Sequence, residues 1–278
     1  MRAAALAGPV AAFGLALIAA GGGATAEPCE DHVDDPIALP WREAGVDAPR
    51  GGCLRSEVSV DLLGHALIDE PAFYGTLGGG ASVMARFGGQ YVEYGLGVRL
   101  LDATFVQNAV LKVTETGYGP ITAQVALGDQ GPVAGRPAAY VVYARVEVPF
   151  TRAELAMSSG GIQLGGALTW QIGAHHRLHG RVGLLGAYAS SAAGSETRGA
   201  GVASVDLSST LLSWLVATGG VDVQGGWFGA GLDHVAARAG AHWRITGVWR
   251  AAVAAGVPLV GAERTDVAFT LGVRRDLD

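Results

Sequence analysis

The residues that offer chemistry in this sequence are scattered ionisable side chains. They stand at alternate positions in otherwise apolar segments. Glu57, Asp61, Glu93, Arg99, Lys112, Arg145, Glu147, Arg181, Arg238, His242, Arg244, Arg250 and Arg274 make up the set. Arginine dominates toward the C-terminus, and Lys112 is the only lysine. Alternation places side chains on one face of an extended strand, because successive residues point to opposite sides. A face lined in this way either presents charge to water or pairs arginine with carboxylate.

Other constellations are thinner. His175, His176 and His179 form the one histidine cluster. Imidazoles bind zinc or copper, but no cysteine or carboxylate joins them locally. The cluster reads as a turn between two strands, so no metal is expected. Ser190, Ser191, Ser195, Ser204, Ser208 and Ser209, with His65 and His234, supply nucleophile and base types. Spacing alone brings no pair of them together, so no catalytic residue is assigned. The sequence has no G-x-S-x-G, Walker loop, HExxH or CxxC. Gly78-Gly79-Gly80 precedes no helix, as a phosphate cradle would require. No cofactor is implied. A net charge of -6 argues against a nucleic-acid partner.

The elements that carry these charges read as strands. Val58, Val60 and Leu62 alternate with Glu57, Ser59 and Asp61. Val142, Val146 and Val148 alternate with Tyr143, Arg145 and Glu147. Trp243 and Ile245 alternate with His242 and Arg244. Such period-2 runs recur from Leu54 to the end, broken by Gly- and Pro-containing turns. Segments near 54–66, 72–87, 90–103, 105–115, 119–128, 138–149, 161–175, 178–189, 201–217, 219–232, 234–246, 248–258 and 264–275 qualify. That is one more than an even number. Single-chain bacterial barrels have even counts, so one division near 103–128 is expected to be false, leaving about 12 strands.

Three features favour a membrane barrel over a soluble sandwich. Many runs reach the length that a tilted membrane strand needs, about 9–11 residues. The apolar face is rich in small residues, with 44 glycines in 278 residues. A sandwich core must be filled to high density, whereas a lipid-facing surface only has to be apolar. The opposite face is charged. The fold expected is an all-β, closed, antiparallel, up-and-down transmembrane barrel over residues 54–278. A closed barrel satisfies every backbone group in hydrocarbon. The charged list then becomes the lumen lining. It forms a narrow path for small solutes with mild anion preference, or it closes the lumen by ion pairing. The second option describes a plugged structural or adhesive barrel. An outer-membrane hydrolase is a third reading. Trp170, Trp214, Trp227, Trp243 and Trp249 fall in or at the ends of strands, where interfacial girdles form.

The N-terminus reads as a targeting segment. Met1-Arg2, an apolar stretch from Ala3 to Ala20, and Ala24-Thr25-Ala26 before Glu27 describe a signal peptide cleaved after Ala26. An uncleaved anchor is the alternative. Residues 27–53 form an acidic, Pro-containing leader. Cys29 and Cys53, the only cysteines, follow the cleavage site, where export permits a disulfide; two free thiols are the alternative.

Residues 54–278 resemble Gram-negative outer-membrane barrels. More loosely, they resemble the transporter-like barrels associated with aromatic-compound meta-cleavage pathways. The segments that carry this are Ile121-Thr122-Ala123-Gln124-Val125-Ala126-Leu127-Gly128, Tyr143-Ala144-Arg145-Val146-Glu147-Val148-Pro149 and Thr270-Leu271-Gly272-Val273-Arg274. The resemblance implies location in an outer membrane, with its lipid and a small solute as partners.

Overall fold

A computed structural model describes residues 52–69, 74–107, 112–148, 158–191, 194–226, 232–261 and 267–277. The proposed signal peptide, Cys29 and nearly all of the leader lie outside the described residues.

The described chain is one antiparallel sheet closed on itself. Its strands are β1 (Glu57–Asp69), β2 (Tyr74–Gly88), β3 (Val92–Gln107), β4 (Lys112–Gly117), β5 (Ile121–Val133), β6 (Arg136–Val148), β7 (Ser158–Gln171), β8 (His176–Ser191), β9 (Gly194–Leu212), β10 (Leu215–Gly226), β11 (Leu232–Arg244), β12 (Trp249–Gly261) and β13 (Val267–Asp276). Strands pair with their chain neighbours, except that β4 and β5 both pair with β3, and β1 pairs with β13 to shut the barrel. The described strands all belong to this one closed sheet, which is a barrel and not a sandwich.

Thirteen segments make twelve staves. β4 and β5 lie end to end along the same edge of β3, one on residues 102–107 and the other on 92–98. Tyr118-Gly119-Pro120 interrupts them. Proline has no N–H for the ladder, so the pairing steps aside here. Gly119 N–H donates to the Arg99 carbonyl at 2.9 Å, and Arg99 N–H donates to the Pro120 carbonyl at 3.2 Å. On the other edge of β3, Leu101 pairs with Ala81 and Arg99 with Ser82, so Leu100 is a bulge. The surplus strand in the sequence count is this broken stave.

The barrel is inside out relative to a soluble protein. Along β5 and β13 exposed and buried residues alternate. The exposed ones are apolar: Ile121, Val125 and Leu127, then Val267, Phe269, Leu271 and Val273. The buried set is dominated by Glu, Asp, Arg, Gln, Ser and Thr. A surface of this kind is at home in hydrocarbon, with its polar groups turned to the axis.

Both the start of β1 and the end of β13 lie at one end of the barrel, here called the near end. Every turn at that end is short: 89–91, 134–135, 172–175, 213–214 and 245–248. The 134–135 turn has Ala134 at φ 50° and Gly135 at φ 75°, the two positive φ values of a type I′ hairpin. Exposed Phe87, Tyr91, Tyr94, Tyr140, Trp214 and Trp249 ring the same end. They form one aromatic girdle.

Glycines let large side chains lie flat along the wall. Tyr143 on β6 runs over Gly165 and Gly183, and a Cβ on Gly165 would come within 2.6 Å of its hydroxyl oxygen. Outside, the Phe269 ring covers Gly64, where a Cβ would meet ring atoms at 2.1–2.9 Å.

Candidate functional site

The site is the lumen, and register decides what enters it. β1 turns Glu57, Ser59 and Asp61 inward. β2 adds Met84 and Arg86; β3 adds Glu93; β5 adds Thr122 and Gln124; β6 adds Tyr143, Arg145 and Glu147. The far wall contributes Gln163, Thr169 and Gln171 from β7, with Arg177, His179 and Arg181 from β8. Ser204, Asp206 and Ser208 follow from β9, Asp222 from β10, Arg238 and His242 from β11, and Thr270 and Arg274 from β13.

These groups meet in clusters. Arg238 bridges two carboxylates: it is doubly hydrogen-bonded to Asp206 and lies 3.0 Å from Asp222. Arg181 approaches Asp222 at 3.7 Å. On the opposite wall Arg145 pairs with Glu147 at 2.7 Å. Glu57 sits 3.8 Å from both Arg55 and Arg86. Arg274 lies 3.9 Å from Asp61. Gln124 Nε2 donates to Glu93 at 3.0 Å. His179 is held between Thr169 at 3.0 Å and Ser208 at 2.8 Å.

A cavity remains among the Arg145–Glu147, Glu57–Arg86 and Arg274–Asp61 groups. It holds about 530 Å³ of empty space, part of it open to solvent. Arg86, Arg99, Arg145 and Arg274 line it together with Glu57, Asp61 and Glu147. Several inward side chains are closely packed. His242, Glu93 and Thr169 are at most 2% exposed. A wide aqueous pore would wet such side chains, so the interior is constricted where they lie.

Part of the filling precedes β1. Ser56 is tied to Gly88 through its hydroxyl, at 2.9 and 3.0 Å. Arg55 N–H then donates to Glu93 at 2.8 Å. Leu54 lies against an apolar cluster of Ala126, Val141, Tyr143, Ala167, Leu185 and Val202. Gly52 N–H donates to the Thr169 hydroxyl at 3.0 Å, and a Cβ at Gly52 would collide with the Ala139 carbonyl. Four residues therefore cross the interior from β1 to β7. Cys53 is buried within this segment, and no cysteine is free among the described residues.

Of the residues singled out from sequence, Glu57, Asp61, Glu93, Arg145, Glu147, Arg181, Arg238, His242 and Arg274 are buried in the interior. Arg99 is half-buried at the cavity. Arg250 is partly buried and doubly hydrogen-bonded to Asp276. Arg244 is exposed at the near-end mouth. Lys112 opens β4 opposite Gln107, with its side chain outside the described residues. Sequence reasoning missed Arg55, Arg86, Arg177, His179, Asp206 and Asp222. All but Arg55 obey the same alternation as their neighbours, and that phase was the available signal. The histidine cluster is not simply a turn: His175 is in the turn, whereas His176 and His179 belong to β8.

One serine–histidine contact faces outward. His176 and Ser209 alternate with inward-facing Arg177 and Ser208, and their Nδ1 and Oγ atoms are 3.0 Å apart. A hydrolytic base needs a third group to orient it. Among the described residues no carboxylate or amide side chain reaches His176.

No protein-family model matches this chain, and no curated protein matches it. Solved structures do. An outer-membrane channel from Pseudomonas putida F1 is 11% identical with a TM-score of 0.62, over 88% of this chain and 99% of that one. The beta domain of the Bordetella autotransporter BrkA is 11% identical with a TM-score of 0.52, over 81% of this chain and 100% of that one. The chain thus has the fold of bacterial outer-membrane β-barrels.

Proposed function

We propose that this protein is an outer-membrane channel giving a narrow path to small solutes. One observation carries the reading: a closed barrel whose apolar side faces out and whose charged side faces in. Lipid outside and polar solute inside are the surroundings that such a surface suits. The shared fold with the Pseudomonas channel supports it, and so does the looser resemblance to transporter-like barrels of aromatic meta-cleavage pathways. The near end, with its short turns and both strand termini, is then the periplasmic end. Export by a signal peptide cleaved after Ala26 and a Cys29–Cys53 bridge belong to the same reading. The bridge would fasten the 52–55 crossing at Cys53.

Selectivity follows from charge balance. Among the described residues, six arginines and six carboxylates are fully buried in the lumen. A balanced interior does not sort ions strongly by sign, so an anion preference has to arise at the mouths. Planar-bilayer recording of the refolded protein is the test. Small unitary steps with weak selectivity are expected; a silent bilayer would overturn the channel reading. A second reading, a plugged structural barrel, is favoured by the depth to which the lumen side chains are buried. It predicts that silent bilayer. N-terminal sequencing of the membrane-extracted protein should begin at Glu27. Its mass after alkylation should change when reductant is added first.

A further inference from the structure

One imidazole stands between the barrel wall and the segment that crosses the interior. Gly52 N–H donates to the Thr169 hydroxyl oxygen at 3.0 Å. The same oxygen lies 3.0 Å from His179 Nδ1, and His179 Nε2 lies 2.8 Å from the Ser208 hydroxyl. All three side chains are buried. A hydroxyl has one proton and two lone pairs. Gly52 occupies one lone pair of Thr169. Among the described residues, the acceptor within reach of the Thr169 proton is Nδ1. A buried donor has to be used, so Nδ1 accepts. The ring proton then sits on Nε2 and donates to Ser208. Gly52 is thus bonded to a hydroxyl whose orientation requires a neutral imidazole.

Acid changes this count, because imidazole gains its charge in the range between about pH 8 and pH 5. A protonated ring donates from both nitrogens, so Nδ1–H points at the Thr169 oxygen. The hydroxyl proton must turn away from the ring, where Gly52 N–H already stands. The charged surroundings act in the same direction. Arg177 and Arg181 flank His179 on the inward face of β8, and Arg181 approaches Asp222 of β10. On β9 the register partner of His179 is Asp206, which is held by Arg238 of β11. On β7 the neighbours are the uncharged Thr169 and Gln171. The charge of the crossing, Arg55, stands at Glu57 of β1. A third cation between two arginines therefore competes with Arg238 for Asp206, and the ring is pulled from Thr169 toward β9.

We propose that His179 is a pH-sensing latch on the 52–55 crossing: neutral, it fixes the segment through Thr169, and protonated, it releases Gly52. The latch rests on the channel reading, since the segment it holds is what narrows the path.

The test is planar-bilayer recording of the refolded full-length mature protein at about pH 7.5 and about pH 5, with hydrogen exchange of the 52–55 segment measured at both and corrected for intrinsic rates. Unitary steps should grow roughly twofold or more in acid, reversibly, as protection at Gly52 falls. His179→Gln keeps an amide near both hydroxyls without titrating and should abolish both responses. Thr169→Val removes the bridge and should give large steps and low protection at either pH. His175→Gln removes an exposed imidazole from the turn before β8 and should leave the acid response intact. An acid response that survives in His179→Gln, or wild-type steps with a wild-type response in Thr169→Val, would overturn the latch. The two readouts separate it from the channel reading. Protection lost in acid by a protein that never conducts would sustain the latch and sink the channel. Conductance with protection unchanged by pH would do the reverse.

Discussion

Arg238 offers the sharpest perturbation of the lumen. Its side chain is 2% exposed and holds Asp206 and Asp222 together across β9, β10 and β11. At 3.0 Å and an effective dielectric of about 20, the Asp222 contact alone corresponds to roughly 5 kcal/mol of Coulomb attraction, before the cost of dehydrating either ion. Removing one partner of a buried pair costs about 3–5 kcal/mol, because the other charge is stranded. Here the space vacated by Arg238→Ala is bounded by polar side chains, so water is expected to enter it. The stranded carboxylates are then rehydrated, and the expected loss falls to on the order of 2 kcal/mol. Heat-modifiable migration should begin at a lower temperature. The functional consequence is opposite in sign. Asp206 and Asp222 lose the arginine they share, and a bulky side chain has left the interior. Unitary conductance should rise, and the reversal potential in a salt gradient should move toward cation preference. Asp206→Asn with Asp222→Asn should move it toward anions. Unchanged conductance and selectivity in a folded Arg238→Ala protein would refute the placement of this cluster in the path.

Three further outcomes follow from the wall and its contents. Leu54→Glu sets a carboxylate against Val141 and Tyr143, so it should unseat the 52–55 crossing and enlarge the unitary steps; steps of wild-type size would count against that crossing as an obstruction. Gly64→Ala drives a Cβ into the Phe269 ring and should cost about 1–3 kcal/mol, with Phe269→Ala restoring most of it in a double-mutant cycle read by urea unfolding. Ala134→Asn relieves the left-handed φ of 50° and should raise stability by about 0.5–1 kcal/mol in the same assay; a loss would mean that the turn is held in some other way.

The staves were legible because each follows a two-residue rule. Val58, Val60 and Leu62 against Glu57, Ser59 and Asp61 suffice to orient β1 without any partner in view. The same rule separated Arg145 and Glu147 from Val146 and Val148 on β6. What the rule cannot convey is register between strands. Asp206 and Asp222 are 16 residues apart in sequence, and only the pairing of β9, β10 and β11 brings both to Arg238. The broken stave was half legible. An odd tally near 103–128 betrayed it, but a proline between two strand-like runs reads equally well as a turn. The Leu100 bulge and the Arg99 hydrogen bonds that bridge Tyr118-Gly119-Pro120 are long-range features with no local signature. The crossing was the least legible part. Gly52 to Arg55 belong to a polar, irregular stretch, and nothing in Leu54 itself says that its side chain lies inside a barrel.

The crossing also changes how the charged lumen should be understood. A barrel of twelve staves is wider than one filled by side chains alone, yet Glu93 and Thr169 are almost wholly buried. Both are contacted by this segment: Glu93 accepts from Arg55 N–H, and Thr169 accepts from Gly52 N–H. Their burial is therefore shared between these four residues and the wall, where Gln124 donates to Glu93 and His179 meets Thr169. Tyr143 lies along the wall over Gly165 and Gly183, and Leu54 packs on the cluster it belongs to. The Arg145–Glu147 pair lies along one strand, and the Arg238 and Arg274 pairs join nearby strands of the wall. A barrel meant to be solid would fill its axis from the wall. Here a short segment anchored by hydrogen bonds and by Leu54 adds to what the wall supplies, so displacing Leu54 measures how much of the obstruction the segment provides.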